Sequence, residues 1–349
     1  MIASLRLTSQ QLADPQFDSP KDLVNWMGAI QAQDPAMARW AVGIRLKSAT
    51  EETVRNALDR GEILRTHIMR PTWHLVSAED IRWMLKLTGQ RVRAANYSFG
   101  KTMGVPESLY APGNRLFEKI LQGGNHLTKE EIVRELTKAG ITDDAHVATR
   151  LLADAEMQGI ICSGACKGEK ITYALLEERV PPVKELHQEE ALALFAEKYF
   201  QSHSPASEED FRWWSGLSAT EARHAIGLIS HRLEKETSGS RTFYLHASLT
   251  GKTARKDILH LLPSFDEFLI SYKDRSDTLA QEHRAKAFNN YGTFYPVILH
   301  NGRIVGNWKK LPNKKQPDIQ ATFFEPDTRI SNKLTEQASI RYKTFLKKL

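Results

Sequence analysis

Cysteine is nearly absent: 349 residues contain only Cys162 and Cys166. A secreted fold stapled by disulfides is therefore excluded, and a reducing cytoplasm is the expected setting. Long apolar runs are missing too. None approaches the ~20 residues a membrane helix needs, so no membrane partner is expected. Met1 to Gln10 lacks the charged-then-apolar layout of a secretory leader, and none is expected there. The sequence has no phosphate-binding glycine loop, no dinucleotide fingerprint, no His-Glu-x-x-His pair and no Gly-x-Ser-x-Gly elbow. Cys162 and Cys166 lie four apart beside a turn with no second ligand pair at zinc spacing. Neither a metal nor a cofactor is expected.

What is present is a soluble composition, 41% hydrophobic and 26% charged, with 48 Lys/Arg against 42 Asp/Glu. The net +6 is unevenly placed. From Asn301 to Leu349 there are eleven Lys/Arg and four Asp/Glu, so the first 300 residues are close to neutral. A basic C-terminal region on a neutral body is compatible with binding a phosphate backbone. A solvated helix face with a charged tail is the plainer alternative.

The helix signals recur in units. Thr128-Lys-Glu-Glu131 is a capping box, in which a hydroxyl caps the first turn and a carboxylate three residues on caps the capper. It opens a helix from Lys129 to Lys138, between helices expected at Arg115–Leu121 and from Thr142. Val147, Leu151, Leu152 and Ala155 recur there at helical spacing. Ile160–Ser163 and Lys170–Leu175 read as two strands. Three helices and a ribbon make a winged helix, a variant of helix-turn-helix. Ser207-Glu-Glu-Asp210 repeats the capping logic 79 positions after Thr128. It opens Glu208–Ser215, after a helix at Glu190–Phe200 and before one at Thr220–Glu234 and half a wing at Arg241–Leu245. A looser copy begins the chain: helices at Lys21–Ile30, from Asp34-Pro35 towards Leu46 and at Thr50–Arg60, then a hairpin over Ile63–Val76 folded near Arg70-Pro71. Ser77-Ala-Glu-Asp80 caps a helix to Leu87. Beyond Lys252 the texture turns β-like, at His260–Phe268, Thr293–His300 and Arg303–Trp308, with Asn301-Gly302 as a hairpin turn. A closing helix is expected over Asn332–Lys348. The expectation is an α+β, mainly helical chain: three tandem winged-helix motifs (1–102, 103–182 and 183–250) and a C-terminal β-rich domain (251–349). Proline-marked linkers are expected near Met103–Pro112 and Val180–Val183.

Gln31-Ala32-Gln33 sits in the break between two N-terminal helices. The following Asp34-Pro35 reads as an N-cap with proline at the first helical position. If the segment is extended, residues i and i+2 point the same way and two amides project together. Pattern alone leaves open that they do nothing. In the hairpin, Arg65, His67, Arg70 and His74 are candidate phosphate or lesion contacts; a wing with Ile68 and Leu75 inside and its charges outside is the alternative. Lys309, Lys310, Lys314 and Lys315 follow the Asn301-Gly302 turn and are further candidates for DNA binding. Trp213-Trp214 reads as a buried pair or as a base-stacking pair.

Several blocks resemble the AlkZ family of bacterial DNA glycosylases, including its YcaQ branch. They are Leu5-Arg6-Leu7, Gln31-Ala-Gln-Asp-Pro35, Arg65-Thr-His-Ile-Met-Arg-Pro-Thr-Trp-His-Leu-Val76, Leu262-Pro-Ser-Phe-Asp-Glu-Phe268 and Asn301-Gly-Arg-Ile-Val-Gly-Asn-Trp308. Their order spans essentially the whole chain. The resemblance implies three tandem winged helices around a DNA-sized channel. It implies a monofunctional glycosylase that removes N-alkylated purines and, in some members, unhooks interstrand crosslinks. Its catalytic motif, Gln, an apolar residue, then Gln or Asp, is matched by Gln31, Ala32 and Gln33 in the Gln-ending form. The implied partner is double-stranded DNA with alkylated or crosslinked purines; a monomer, cytoplasmic and nucleoid-associated, is expected. The competing reading is a non-enzymatic winged-helix transcriptional regulator. The recognition helix starting at Ala145 would serve it badly, because Asp143, Asp144, Asp154 and Glu156 give that helix an acidic face.

Overall fold

A computed structural model describes residues 2–251, 257–311, 318–325 and 330–347. The chain is α+β, about half helical, with small antiparallel sheets. It divides into two compact units, Met1–Arg55 with Leu192–Leu349, and Asn56–Ala191. No described helix is long and apolar enough to cross a membrane.

The first unit opens with α1 (Ile2–Ser9) and α2 (Pro20–Met27), the latter capped by Ser19. α2 stops three residues short of the expected end because Gly28 takes a left-handed turn at φ 73. Its N–H bonds the Asn25 carbonyl at 3.3 Å. A Cβ at this position would also come within 3.2 Å of the Lys198 Cβ. Ile30–Gln31 is then extended (β1), and α3 (Pro35–Gly43) starts as expected, with Asp34 accepting from the Ala36 and Met37 N–H groups. α4 covers Glu51–Asp59.

In the second unit β2 (Ile63–His67) and β3 (Trp73–Ser77) form the expected hairpin, with Arg65 opposite Leu75 and His67 opposite Trp73. α5 (Ile81–Thr102) runs fifteen residues past the expected end. Much of the expected proline linker is helical: α6 (Tyr110–Leu121) holds Pro112 in its first turn, where a missing N–H removes no helix bond. β4 (Leu127–Thr128) leads into α7 (Lys129–Lys138), with both halves of the capping box formed by Thr128 and Glu131. α8 (Ala145–Met157) follows, then β5 (Ile161–Ser163), β6 (Thr172–Leu175) and the single turn α9 (Leu176–Arg179). The sheet order is β4-β6-β5. The helices close over a core of Phe117, Leu121, Ile132, Leu136, Leu151 and Leu152. Two expectations change here. Asp154 and Glu156 are buried, so the acidic face of α8 is only partly a solvent face. The hairpin also buries Arg65, His67 and His74 alongside Ile68 and Leu75, instead of placing its charges outside.

Back in the first unit, α10 (Gln188–His203) and α11 (Glu208–Ser215) pack through aromatic rings, Tyr199 lying 5.0 Å from Trp214 and 5.2 Å from Phe211, and α12 (Ala219–Leu228) packs on α11. Ser207 and Asp210 form the capping box read from the sequence, and Ser218 with Glu221 forms another. The expected helix to Glu234 ends early. Leu233–Ser238 is β7, paired along its length with β8 (Arg241–His246), so this ribbon is a complete hairpin. β9 (Leu259–Leu262) gives way at Pro263 to a one-turn helix α13 (Glu267–Ile270), where continued strand was expected. After α14 (Arg284–Ala287) come β10 (Val297–His300), β11 (Arg303–Leu311) and β12 (Asp318–Phe323), giving the sheet order β12-β11-β10-β9. Asn301 and Gly302 turn at φ 49 and 85, as their residue types require. α15 (Asn332–Phe345) closes the unit, its Tyr342 and Phe345 rings each 5.0 Å from Trp40.

Candidate active site

Gln31 stands at the break between α2 and α3, and the break is built from several sides. Lys198 on α10 donates to the Asn25 carbonyl at 2.9 Å and Gln201 to the Trp26 carbonyl at 3.1 Å, so carbonyls in the last turn of α2 are capped by side chains. The Gln31 N–H donates to Glu267 Oε1 at 2.6 Å. That carboxylate is fully buried. Its other oxygen accepts from the Ser271 hydroxyl and lies 3.7 Å from His203 Nε2. Burial pushes the His203 imidazole below the usual histidine value, against the pull of Glu267.

Glu267 is held in turn. Trp40 donates to the Leu261 carbonyl and Trp308 to the Leu262 carbonyl, each at 2.7 Å, fixing the end of β9. Phe265 then adopts φ 57, a left-handed conformation disfavoured for a bulky side chain and costing on the order of 1 kcal/mol or more. Asp266 caps α13 and receives two hydrogen bonds of 2.8 Å from the buried Arg45 guanidinium. Arg45 also donates to Gln10, which reaches the Tyr272 hydroxyl at 3.0 Å. The successive acids Asp266 and Glu267 are thus both buried and both satisfied, one by a guanidinium and one by the Gln31 backbone and Ser271.

Glu267 is a site residue that the motifs in the sequence do not single out. A signal was available: two adjacent acids inside an apolar block must either face water or find buried partners. Gln31 is buried, and Gln33, two residues on, is half-buried. The segment therefore offers two amides on a main chain anchored by a buried carboxylate.

The other candidates fall into two groups. In the second unit, the buried His67 Nδ1 is hydrogen-bonded to the buried Glu156 carboxylate, and its ring lies 4.3 Å from Trp73. Arg65 lies over Trp73, 4.3 Å from the ring, and its N–H bonds the Ser163 hydroxyl at 2.8 Å. Burial pulls its guanidinium below the usual value. His74 Nδ1 lies 2.9 Å from the Thr72 carbonyl. Arg70 alone of these four is only half-buried, in a turn where Met69 takes φ 62. In the first unit, Lys309 and Lys310 are exposed on β11 opposite Gln320 and Ile319. Lys314 and Lys315 lie outside the described residues. Trp214 is buried, while Trp213 is more open and donates to the Ile270 carbonyl at 2.7 Å. Burial raises the Cys162 thiol to about 12, which removes it as a nucleophile at neutral pH. Among the described residues no cluster of His, Cys, Asp or Glu could hold a metal ion.

Comparison with known proteins gives one consistent result. Residues 24–345 match the family described as DNA glycosylase AlkZ-like. A protein of Streptomyces sahachiroi named interstrand DNA cross-link repair glycosylase is 26% identical, over 96% of this chain and 93% of its own. The fold is that of the solved Streptomyces sahachiroi DNA glycosylase AlkZ, with a TM-score of 0.78 at 24% identity, covering 98% of this chain and 95% of that one. From the Gln31 break to the closing helix, the chain belongs to the AlkZ-like family of DNA glycosylases.

Proposed function

We propose that this chain is a monofunctional DNA glycosylase for cationic N-alkylated purines of the N7-alkylguanine type, with crosslink unhooking within its range. It acts as a monomer on double-stranded DNA, and Gln31 and Gln33 carry the reaction. The observation that supports this best is the hydrogen bond from the Gln31 N–H to buried Glu267 at 2.6 Å, which holds the motif extended at the helix break.

A glutamine cannot act as a strong base, but its carbonyl can orient water and its NH₂ can donate. That suffices when the leaving group is already good. An alkylated purine carries positive charge, and departs with the electron pair of the N-glycosidic bond as a neutral base. The sugar becomes an oxocarbenium-like centre, water adds at the anomeric carbon, and the surplus proton leaves to solvent. Fixed dipoles beside that centre stabilise the charge without reorganising. Neutral bases such as uracil are poor substrates on this mechanism, because no group acts as a strong acid on the base. In this reading Glu267 is a positioning residue.

The three sets of helices with ribbons, spread over 1–102, 103–182 and 183–250, are read as winged helices, with 251–349 as the β-rich domain. Among the DNA-contact candidates, Arg70, Lys309, Lys310, Lys314 and Lys315 are assigned to phosphates. Arg65, His67 and His74 are assigned to holding the hairpin that presents Arg70. The regulator reading is disfavoured by the family and by the relative named as a glycosylase.

The test is excision from duplex DNA carrying N7-methylguanine, read as alkali-cleavable abasic sites. Gln31→Ala and Gln33→Ala are each expected to slow excision by roughly 10²–10⁴-fold with duplex binding retained. Cleavage surviving both changes would remove the Gln pair from the mechanism.

A further inference from the structure

Between Glu282 and Asp318 the chain has seven Lys/Arg and no Asp or Glu, its longest acid-free run. Inside that run Phe288 and Phe294 pair across an isolated bridge, their rings stacked at 4.9 Å. The loop they enclose is tightly built. The Asn289 N–H donates to the Thr293 carbonyl at 3.0 Å and the Gly292 N–H to the Asn289 carbonyl at 3.2 Å. Asn289 Oδ1 accepts from the Tyr291 and Thr293 N–H groups, both at 3.0 Å. Gly292 closes the turn at φ 82.

At the tip of this ordered loop Tyr291 is 96% exposed, against 57% for Met103, the next most exposed large apolar side chain among the described residues. The ring is presented whole to solvent by a loop whose backbone is held by its own hydrogen bonds. The footing is cationic. The Arg275 guanidinium lies 5.1 Å from the Phe288 ring and 5.2 Å from the Phe294 ring, and Arg284 lies 5.2 Å from Phe288. Arg284 and Lys286 are exposed on α14, which leads into the loop. Arg275 also donates to the Leu269 carbonyl at 2.7 Å, within the helix whose first residue, Glu267, anchors Gln31. Hydrogen bonds and ring contacts therefore tie the loop to the glutamine segment.

We propose that Tyr291 is a base-stacking residue, placing its ring against an unstacked nucleobase of lesion-bearing DNA while Arg284 and Lys286 meet phosphates. This rests on the reading of the chain as a DNA glycosylase. The chemistry suits the partner: an aromatic face accepts any base, the phenol hydroxyl tolerates water when the site is empty, and the surrounding cations match a polyanion.

The experiment uses the full chain and a fluorescein-labelled duplex carrying a tetrahydrofuran abasic analogue, with affinity read by anisotropy. Tyr291→Ala is expected to weaken binding about 10-fold, with Tyr291→Phe and Tyr291→Trp within about twofold of the wild type. Thermal unfolding should be unchanged in all three. Single-turnover excision of N7-methylguanine at subsaturating enzyme should fall in parallel with affinity. Tyr291→Ala binding as tightly as the wild type would overturn the proposal, and so would Tyr291→Phe losing as much as Tyr291→Ala. A wild type that binds the duplex but excises nothing would sink the glycosylase reading, while the affinity series still decides the role of Tyr291.

Discussion

The two units each bury charge beside a candidate functional segment, but they use it differently. In the first, Glu267 takes hold of the main chain at Gln31. In the second, Glu156 takes hold of a side chain, the imidazole of His67, and Arg65 is laid over Trp73. Each arrangement includes a bulky residue at positive φ, Phe265 at 57 two residues before the anchor Glu267 and Met69 at 62 two residues after His67. Anchoring a backbone fixes where a side chain starts. Anchoring the side chain itself commits its polar atoms to the fold. On the proposed mechanism Gln31 is thereby positioned to act, whereas Glu267, Glu156, Arg65 and His67 do the positioning, although all five are polar and buried.

Breaking the second arrangement should cost the most stability and the least chemistry. Glu156→Ala strips His67 of its buried partner and is expected to destabilise the protein by ~3–5 kcal/mol. Excision per folded molecule should stay within a few-fold of the wild type. Urea unfolding and single-turnover excision on the same preparation check both halves. A large loss of rate in a well-folded variant would break the comparison, because His67 would then belong to the chemistry. The converse change is Glu267→Ala. It removes the acceptor of the Gln31 N–H, and a small misplacement of a catalytic group costs about 10²-fold in rate. Glu267→Gln keeps an acceptor oxygen and should recover part of that loss. Duplex affinity should move little in either variant.

Acid should loosen the first unit. Burial pushes His260 down to about 3, and its Nε2 lies 2.8 Å from the Leu12 carbonyl. An unfolded histidine takes up its proton near pH 6.5 while the folded one does not, so the unfolded state binds more protons in between. Stability is complete above the unfolded value and falls as pH drops through that window, by about 2 kcal/mol at pH 5 from this group alone. His203, shifted the same way by burial, adds to the slope. Urea midpoints at pH 7.5 and 5 measure it, and His260→Gln should flatten the dependence. A midpoint independent of pH would contradict the buried neutral imidazole.

Legibility in the sequence follows the range of the interaction. α7 and α11 have the limits read from the sequence, because their capping boxes join residues three apart. Asp34-Pro35 and Asn301-Gly302 are equally local. Gly28 is as local a stop signal as any, and the helix expected over Lys21–Ile30 overruns it. The stretch from Leu233 to Ser238 has the charges of an exposed helix, yet it is a strand because β8 pairs with it, a fact no window of that segment contains. The site divides in the same way. Gln31 and Gln33 stand out by the local break. Their anchor is 236 residues away, and the partner of His67 is 89 away. Charged hairpin residues with no visible partner read as surface, which is why Arg65 and His67 stand as DNA-contact candidates in the sequence while the structure buries both.

The smallest expected effect tests whether the two units also differ in ordinary helix energetics. Thr128 and Ser207 make equivalent capping boxes, one in each unit, with N–H to hydroxyl distances of 3.3 Å and 3.1 Å. Alanine at either position removes one acceptor for an otherwise unpaired N–H and should cost about 1 kcal/mol. The acids in the boxes differ. Glu131 also meets Lys167 and is held down at about 2, mainly by the Thr128 backbone N–H. Asp210 is buried, accepts from Lys273 N–H at 2.8 Å and lies 3.6 Å from Arg6. Loss of the Ser207 hydroxyl therefore disturbs a group that also supports the segment after α13. Thr128→Ala should lower stability and leave excision unchanged. Ser207→Ala should lower stability by a similar amount and slow excision slightly, through Asp210 and the chain leading back to Glu267. Equal stability losses with equal rates would mean that the anchoring of Gln31 ends at α13 and does not reach α11.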